Sequence, residues 1–111
     1  MSTLPPKGLV VREPWISKLL DGSKVWELRG STTAHRGRTG LIASGSGSVV
    51  GEASLQACIG PLDLQTLAET ASLHAVPIDW LRENLRYRNT YAWVFADPLR
   101  YGESVPYAHP Q

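Results

Sequence analysis

The segment from Gly22 to Arg29, Gly-Ser-Lys-Val-Trp-Glu-Leu-Arg, constrains this chain more than any other. A glycine-marked turn runs directly into a short strand that carries three charges. Successive strand residues point to opposite faces, so Glu27 and Arg29 share one side while Trp26 and Leu28 share the other. The apolar side calls for a core against it. The charged side is either a solvated surface or the lining of a cavity, and alternation alone leaves both open. Lys24 stands at the edge of the turn, where alternation does not fix its direction.

With 111 residues, the chain is expected to form one domain over residues 1–111, built on a single core. No apolar run approaches the roughly 20 residues of a membrane helix, so no membrane partner is expected. Met1 to Pro6 contains no apolar stretch of the secretory kind. One cysteine, Cys58, excludes an internal disulfide and fits a reducing cytoplasm, the expected location. A formal net charge of +1 argues against indiscriminate polyanion binding, yet a local basic patch depends on geometry rather than on the sum.

Gly8 to Arg12 predicts a first strand, short and β-branched. Glu13-Pro14-Trp15 then starts a helix, with proline at a position whose N–H lacks an intrahelical partner. Trp15, Ile16, Leu19 and Leu20 recur at helical spacing, and Gly22 is the expected stop. The charged strand follows from about Lys24 to Arg29. After a polar stretch, Thr39 to Ala43 and Val49 to Ile59 predict an antiparallel pair joined by Ser44-Gly45-Ser46-Gly47-Ser48. Asp63 is a candidate cap for a helix with Leu64, Leu67, Ala68 and Ala71 on one face. A second short helix is expected after Pro77, with Ile78, Leu81 and Leu85 as its stripe. Thr90 to Ala96 alternates as a strand, Tyr91, Trp93 and Phe95 opposite Ala92 and Val94. Asp97-Pro98 marks a turn or kink, and Pro106 and Pro110 disfavour an interior strand beyond it. This order of elements predicts an α+β fold with a small curled sheet.

Several signals lead nowhere. Gly45, Gly47 and Gly51 lack the lysine and following helix of a phosphate loop. His35, His74 and His109 show no ligand-like spacing, so neither a metal nor another cofactor is expected. Cys58 sits between Ala57 and Ile59 as a small core residue would. The basic residues carry more. Lys24, Arg29, Arg36 and Arg38 face a single acid, Glu27, in that stretch, and guanidinium groups match phosphate oxygens. The alternative for Arg36-Gly37-Arg38 is a solvated loop. Arg82, Arg86 and Arg88 form a second basic cluster, equally compatible with an ordinary helix C-terminus. Trp15, Trp26, Tyr91 and Trp93 are candidates for base stacking, although a domain this small must bury most of them.

Three blocks resemble the ASCH domain, a PUA-like β-barrel module. They are Arg12-Glu13-Pro14-Trp15 followed by G-x-K-x-x-E-x-R on Gly22, Lys24, Glu27 and Arg29, then His35-Arg36-Gly37-Arg38, then Tyr91-Ala92-Trp93-Val94 with Pro98. The resemblance implies a barrel of about five to six mostly antiparallel strands with short helices around it. It also implies a cleft beside the first helix and the charged strand, in a family associated with RNA or modified-nucleoside binding. On that basis Trp15, Lys24, Glu27 and Arg29 become cleft residues, Arg36 and Arg38 phosphate contacts at its rim, and Glu52 a further cavity residue. Members of this type often continue past Pro106-Tyr107 with a barrel-closing strand. Here the last residue is Gln111, so an open edge able to pair with a second copy is expected.

The expected function is therefore binding of RNA, a nucleoside or a nucleotide. The alternative is a hydrolase acting on RNA or on N4-acetylcytidine, with Lys24 and Glu27 as its catalytic pair. Bacterial members of the second kind use a lysine, a threonine and a glutamate. This chain keeps the lysine as Lys24 and has Glu27 where they have threonine, which favours binding.

Overall fold

A computed structural model describes residues 4–85 and 88–107. Arg86 of the second basic cluster, and His109 and Pro110, lie outside the described residues. Five strands form one sheet: β1 (Gly8–Val11), β2 (Trp26–Arg29), β3 (Gly37–Ala43), β4 (Ser48–Ile59) and β5 (Tyr91–Pro106). Four short helices accompany them among the described residues: α1 (Trp15–Asp21), α2 (Leu64–Glu69), α3 (Ala71–His74) and α4 (Ile78–Asn84).

The strand order is β1-β3-β4-β5-β2. The β1–β3 pair is parallel and the other three are antiparallel. The expected barrel is not what forms. β1 and β2 are the two edges of an open mixed sheet and do not pair with each other. Both are only four residues long, and the link between these edges is a side chain rather than a ladder, since Arg29 Nη2 on β2 donates to the Val10 carbonyl on β1.

Local chemistry explains most boundaries. Pro14 caps α1 rather than opening it, and Gly22 ends it in the left-handed region at φ 84°, its N–H donating to the Leu19 carbonyl. Asp63 caps α2 by accepting from the Thr66 N–H at 2.8 Å. The helix expected through Ala71 breaks at Thr70, whose hydroxyl donates to the Thr66 carbonyl, and only Leu67 of its predicted face is buried. The larger surprise is β5. It runs on through Asp97-Pro98 to Pro106, because Asp97 takes a positive φ of 52° and the pairing with β4 shifts register there instead of ending. Pro106 is the last residue of the strand, where a missing N–H costs little.

Two apolar clusters result. Val11, Ile16, Leu19, Leu41, Leu55 and Phe95 bury α1 against the sheet. Leu28, Leu67, Val76, Leu81 and Ala92 bury α2 and α4 against β2 and β5. Trp15 packs against both clusters. Among the described residues no helix is long and apolar enough to cross a membrane.

Candidate functional site

Where the two clusters meet, a cleft of about 700 Å³ opens between α1, α4 and the facing edges of β1 and β2. That volume lies within the range of small-molecule sites. Its construction starts at the turn after α1. Gly22 reverses the chain, Asp21 Oδ1 accepts from the Ser23 N–H at 2.8 Å, and the Lys24 N–H donates to the Lys18 carbonyl at 3.1 Å. Val25 then donates to the Leu73 carbonyl and accepts from Phe95, which pins the start of β2 between α3 and β5.

Lys24 is thereby driven inward and is only 1% exposed. Its ammonium donates to the His74 carbonyl at 2.5 Å, lies 3.5 Å from Glu27 Oε1, and sits 5.3 Å from the centre of the Trp15 ring. Glu27 is buried as well, and its other oxygen pairs with Arg29 at 3.0 Å. Burial of the ammonium outweighs the attraction of Glu27 and brings the Lys24 pKa down from 10.5 to about 8. The floor of the cleft is thus a Lys24–Glu27–Arg29 cluster in which one carboxylate holds two cations.

His74 supports this floor from below. Its Nδ1 accepts from the Val76 N–H at 3.0 Å, so Nε2 carries the proton and donates to the Leu67 carbonyl at 2.7 Å. Desolvation lowers its pKa and keeps the ring neutral. The residue whose carbonyl fixes Lys24 is itself fixed by its ring.

Trp15, Lys24, Glu27 and Arg29 all line the cleft. Arg36, Arg38 and Glu52 do not. Arg38 donates to Glu52 at 2.9 Å, to Ser54 at 3.0 Å and to the Asp97 carbonyl at 2.7 Å, all on the β3–β4–β5 side of the sheet. Tyr101 donates its hydroxyl to Glu52 at 3.2 Å, and desolvation raises the Tyr101 pKa. Glu52, expected as a cavity residue, is thus the partner of Arg38 and is not among the residues that line the cleft. Arg36 is exposed and donates to the Thr33 and His35 carbonyls of its own loop. Of the aromatic candidates, Trp26 packs on the α2–α4 cluster, and Trp93 donates its indole N–H to the Ser31 carbonyl at 2.8 Å.

Arg12, Trp80 and Asn84 are among the lining residues that were not anticipated. Trp80 meets Trp15 edge to face, with ring centroids 5.8 Å apart and planes at 74°. A tryptophan that interrupts the Ile78, Leu81, Leu85 stripe was the available signal. No group of three or more His, Cys, Asp or Glu side chains that would hold a metal occurs among the described residues.

A family model for the ASCH domain matches residues 9–104. The chain belongs to the ASCH domain family. Solved structures agree with this assignment of the fold. A point mutant of the ASCH protein from Zymomonas mobilis superposes with a TM-score of 0.70 at 20% identity, over 89% of this chain and 73% of that one. The ASCH protein itself gives 0.67 at 18% identity, over 84% of this chain and 71% of that one. At such identities the likeness is one of fold. No curated protein matches the chain. Within this ASCH fold, Lys24, Glu27 and Arg29 of the G-x-K-x-x-E-x-R segment line the cleft.

Proposed function

We propose that residues 1–111 form one ASCH domain that acts in the cytoplasm and binds RNA or a nucleotide in the cleft between α1 and β2. Family membership supports the ligand class. The observation that carries the proposal is the composition of the cleft: a cationic floor, Lys24 and Arg29 held by Glu27, beneath a wall formed by Trp15. A base fits against indole rings, and its polar edge meets fixed charges at the floor. Arg36, exposed on its loop, is a backbone contact only for a strand that extends beyond the cleft.

Titration of the intrinsic tryptophan fluorescence with ribonucleosides, ribonucleotides and short single-stranded RNA tests this. Saturable binding that Lys24→Met weakens at least tenfold is expected. Absence of binding by all three ligand classes would sink the proposal. Pairing of two copies along an exposed sheet edge is a separate proposal, and a monomeric mass by light scattering on the ligand-free protein counts against it.

The lowered pKa of Lys24 favours a second reading, a hydrolase acting on a modified nucleoside or RNA. A neutral amine at this position can take a proton from an attacking water. Glu27 is spoken for by Lys24 and Arg29, which suits an orienting role better than a mobile proton carrier. Turnover of N4-acetylcytidine that disappears in Lys24→Ala would put this reading first.

A further inference from the structure

Two cleft residues stand apart from the cluster around Glu27. Trp80 and Asn84 lie one turn apart on the side of α4 that lines the cleft, next to the buried Leu81. Trp80 is 44% exposed even though it lines a cavity, and its described ring contact is with the edge or face of Trp15 alone. A large apolar ring left half open at such a place offers a flat surface to a ligand. Arg12 follows β1 immediately, on the opposite wall. Its carbonyl accepts from the Ile16 N–H in the first turn of α1, which fixes its backbone. Its side chain is exposed and makes no hydrogen bond or ion pair among the described residues.

The other charges of the cleft are already engaged. Glu13 accepts from the Ser17 N–H at 3.2 Å and from the Ser17 hydroxyl at 2.7 Å. Lys24 is taken by His74 and Glu27. Arg29 gives Nε and Nη2 to Glu27 and Val10, which leaves Nη1 without a partner among the described residues. Among the described residues that line the cleft, the cationic groups still available to a ligand are therefore Arg12 and one nitrogen of Arg29.

We infer that Trp80 and Arg12 complete the site, with Trp80 stacking a planar heteroaromatic ring and Arg12 meeting an anionic group attached to it, so that the cleft takes a nucleotide in preference to a nucleoside. This rests on the ASCH nucleic-acid reading and narrows it. The chemistry fits both a free mononucleotide and one nucleotide of a strand, since both join a flat ring to a phosphate.

Isothermal titration with the four ribonucleosides, their 5′-monophosphates and single-stranded RNA trinucleotides tests the assignment on the full chain. At least one monophosphate is expected to bind tenfold or more tightly than its nucleoside. Arg12→Gln is expected to abolish most of that gap while leaving nucleoside affinity in place. Trp80→Leu is expected to weaken nucleoside and nucleotide alike by about tenfold, a typical loss for removal of a stacking ring. Trp80→Phe, which keeps a flat ring, should recover most of it, and this recovery separates stacking from a general loss of fold. Trinucleotides that bind more tightly than monophosphates identify a strand as the source, and equal affinity identifies a free nucleotide; either supports the inference. A gap that survives Arg12→Gln, or Trp80→Leu binding as tightly as the unsubstituted chain, overturns it and leaves the ASCH binding reading standing. Failure of every probe to bind overturns both.

Discussion

Two acid–base clusters among the described residues have similar composition and opposite character. On one side of the molecule Glu27 pairs with Arg29 and Lys24, at side-chain exposures of 8%, 25% and 1%. On the β3–β4–β5 side Glu52 pairs with Arg38, at 17% and 37%. The second cluster is saturated by neighbours: Arg38 also reaches Ser54 and the Asp97 carbonyl, and Tyr101 serves the other oxygen of Glu52. It ties the turn of backbone at Asp97 to β3 and β4. The first cluster borders open volume and holds a desolvated ammonium. Residue types alone do not separate a brace from a candidate site. What separates them is burial beside a cavity, because removal from water is what makes a charge costly and its chemistry adjustable.

The sharpest way to break this contrast is to remove the acid from each cluster. Glu27→Gln leaves two cations facing each other in a buried setting, and loss of one partner in such an arrangement typically costs about 3–5 kcal/mol. Glu52→Gln leaves Arg38 with water and two remaining acceptors, for an expected cost of about 1 kcal/mol or less. Urea unfolding of both variants measures the difference. Equal shifts in midpoint would show that the two clusters are the same kind of feature after all.

The pH dependence of stability sharpens the same comparison with a somewhat smaller effect. Below pH about 8, Lys24 is charged in both the folded and unfolded chain, and the folded chain bears the full cost of burial. Between about 8 and 10.5 the folded amine has lost its proton while the unfolded amine still holds one. Unfolding then takes up a proton, so stability rises with pH across that window, by up to about 3 kcal/mol. Lys24→Met should flatten the rise. His74 acts at the other end: its pKa, lowered chiefly by burial and further by the Lys24 charge, means that stability falls as pH drops below the ordinary histidine value of 6.5, somewhat less steeply in Lys24→Met than in the parent. Chemical denaturation at pH 7, 8.5 and 10 decides the alkaline part. A rise that persists in Lys24→Met would assign it to some other group.

The sequence made the local half of this picture legible. Gly22 as the stop of α1, Asp63 as the cap of α2 and the shared side of Glu27 and Arg29 all follow from interactions within a few residues. Of the three ASCH-like blocks, only the first supplies residues that line the cleft among the described residues. The burial of Lys24 was not legible, since its direction is set by the His74 carbonyl fifty residues away. Neither was the continuation of β5, which depends on a single left-handed residue, Asp97, in a place where Asp-Pro ordinarily ends a strand. Barrel closure failed for a related reason. It is decided by how far two edge strands reach toward each other, and four-residue β1 and β2 share no ladder, the hydrogen bond described between them being that of Arg29. Trp80 escaped because a helical stripe identifies the buried side of α4 and says nothing of the side that borders a cavity.

The smallest expected effect concerns Arg36 and Arg38, which a reading of motifs alone would rank with Arg29. Counterion release depends on cations that a phosphate can displace water from, and Arg38 already holds a carboxylate and two further acceptors. Arg36 is exposed but lies outside the cleft. A mononucleotide should therefore bind the Arg36→Ala/Arg38→Ala variant within about twofold of its affinity for the parent chain. A longer single strand should lose somewhat more, with the slope of log affinity against log salt falling by about 1, the contribution of one phosphate contact. Filter binding of a mononucleotide and a ten-residue RNA between low and moderate salt separates the two. A tenfold loss for the mononucleotide would place Arg36 or Arg38 at the ligand and erase the distinction between brace and site. A slope that falls by 2 would show that Arg38 leaves Glu52 when RNA arrives, which makes the brace a second, competing home for phosphate.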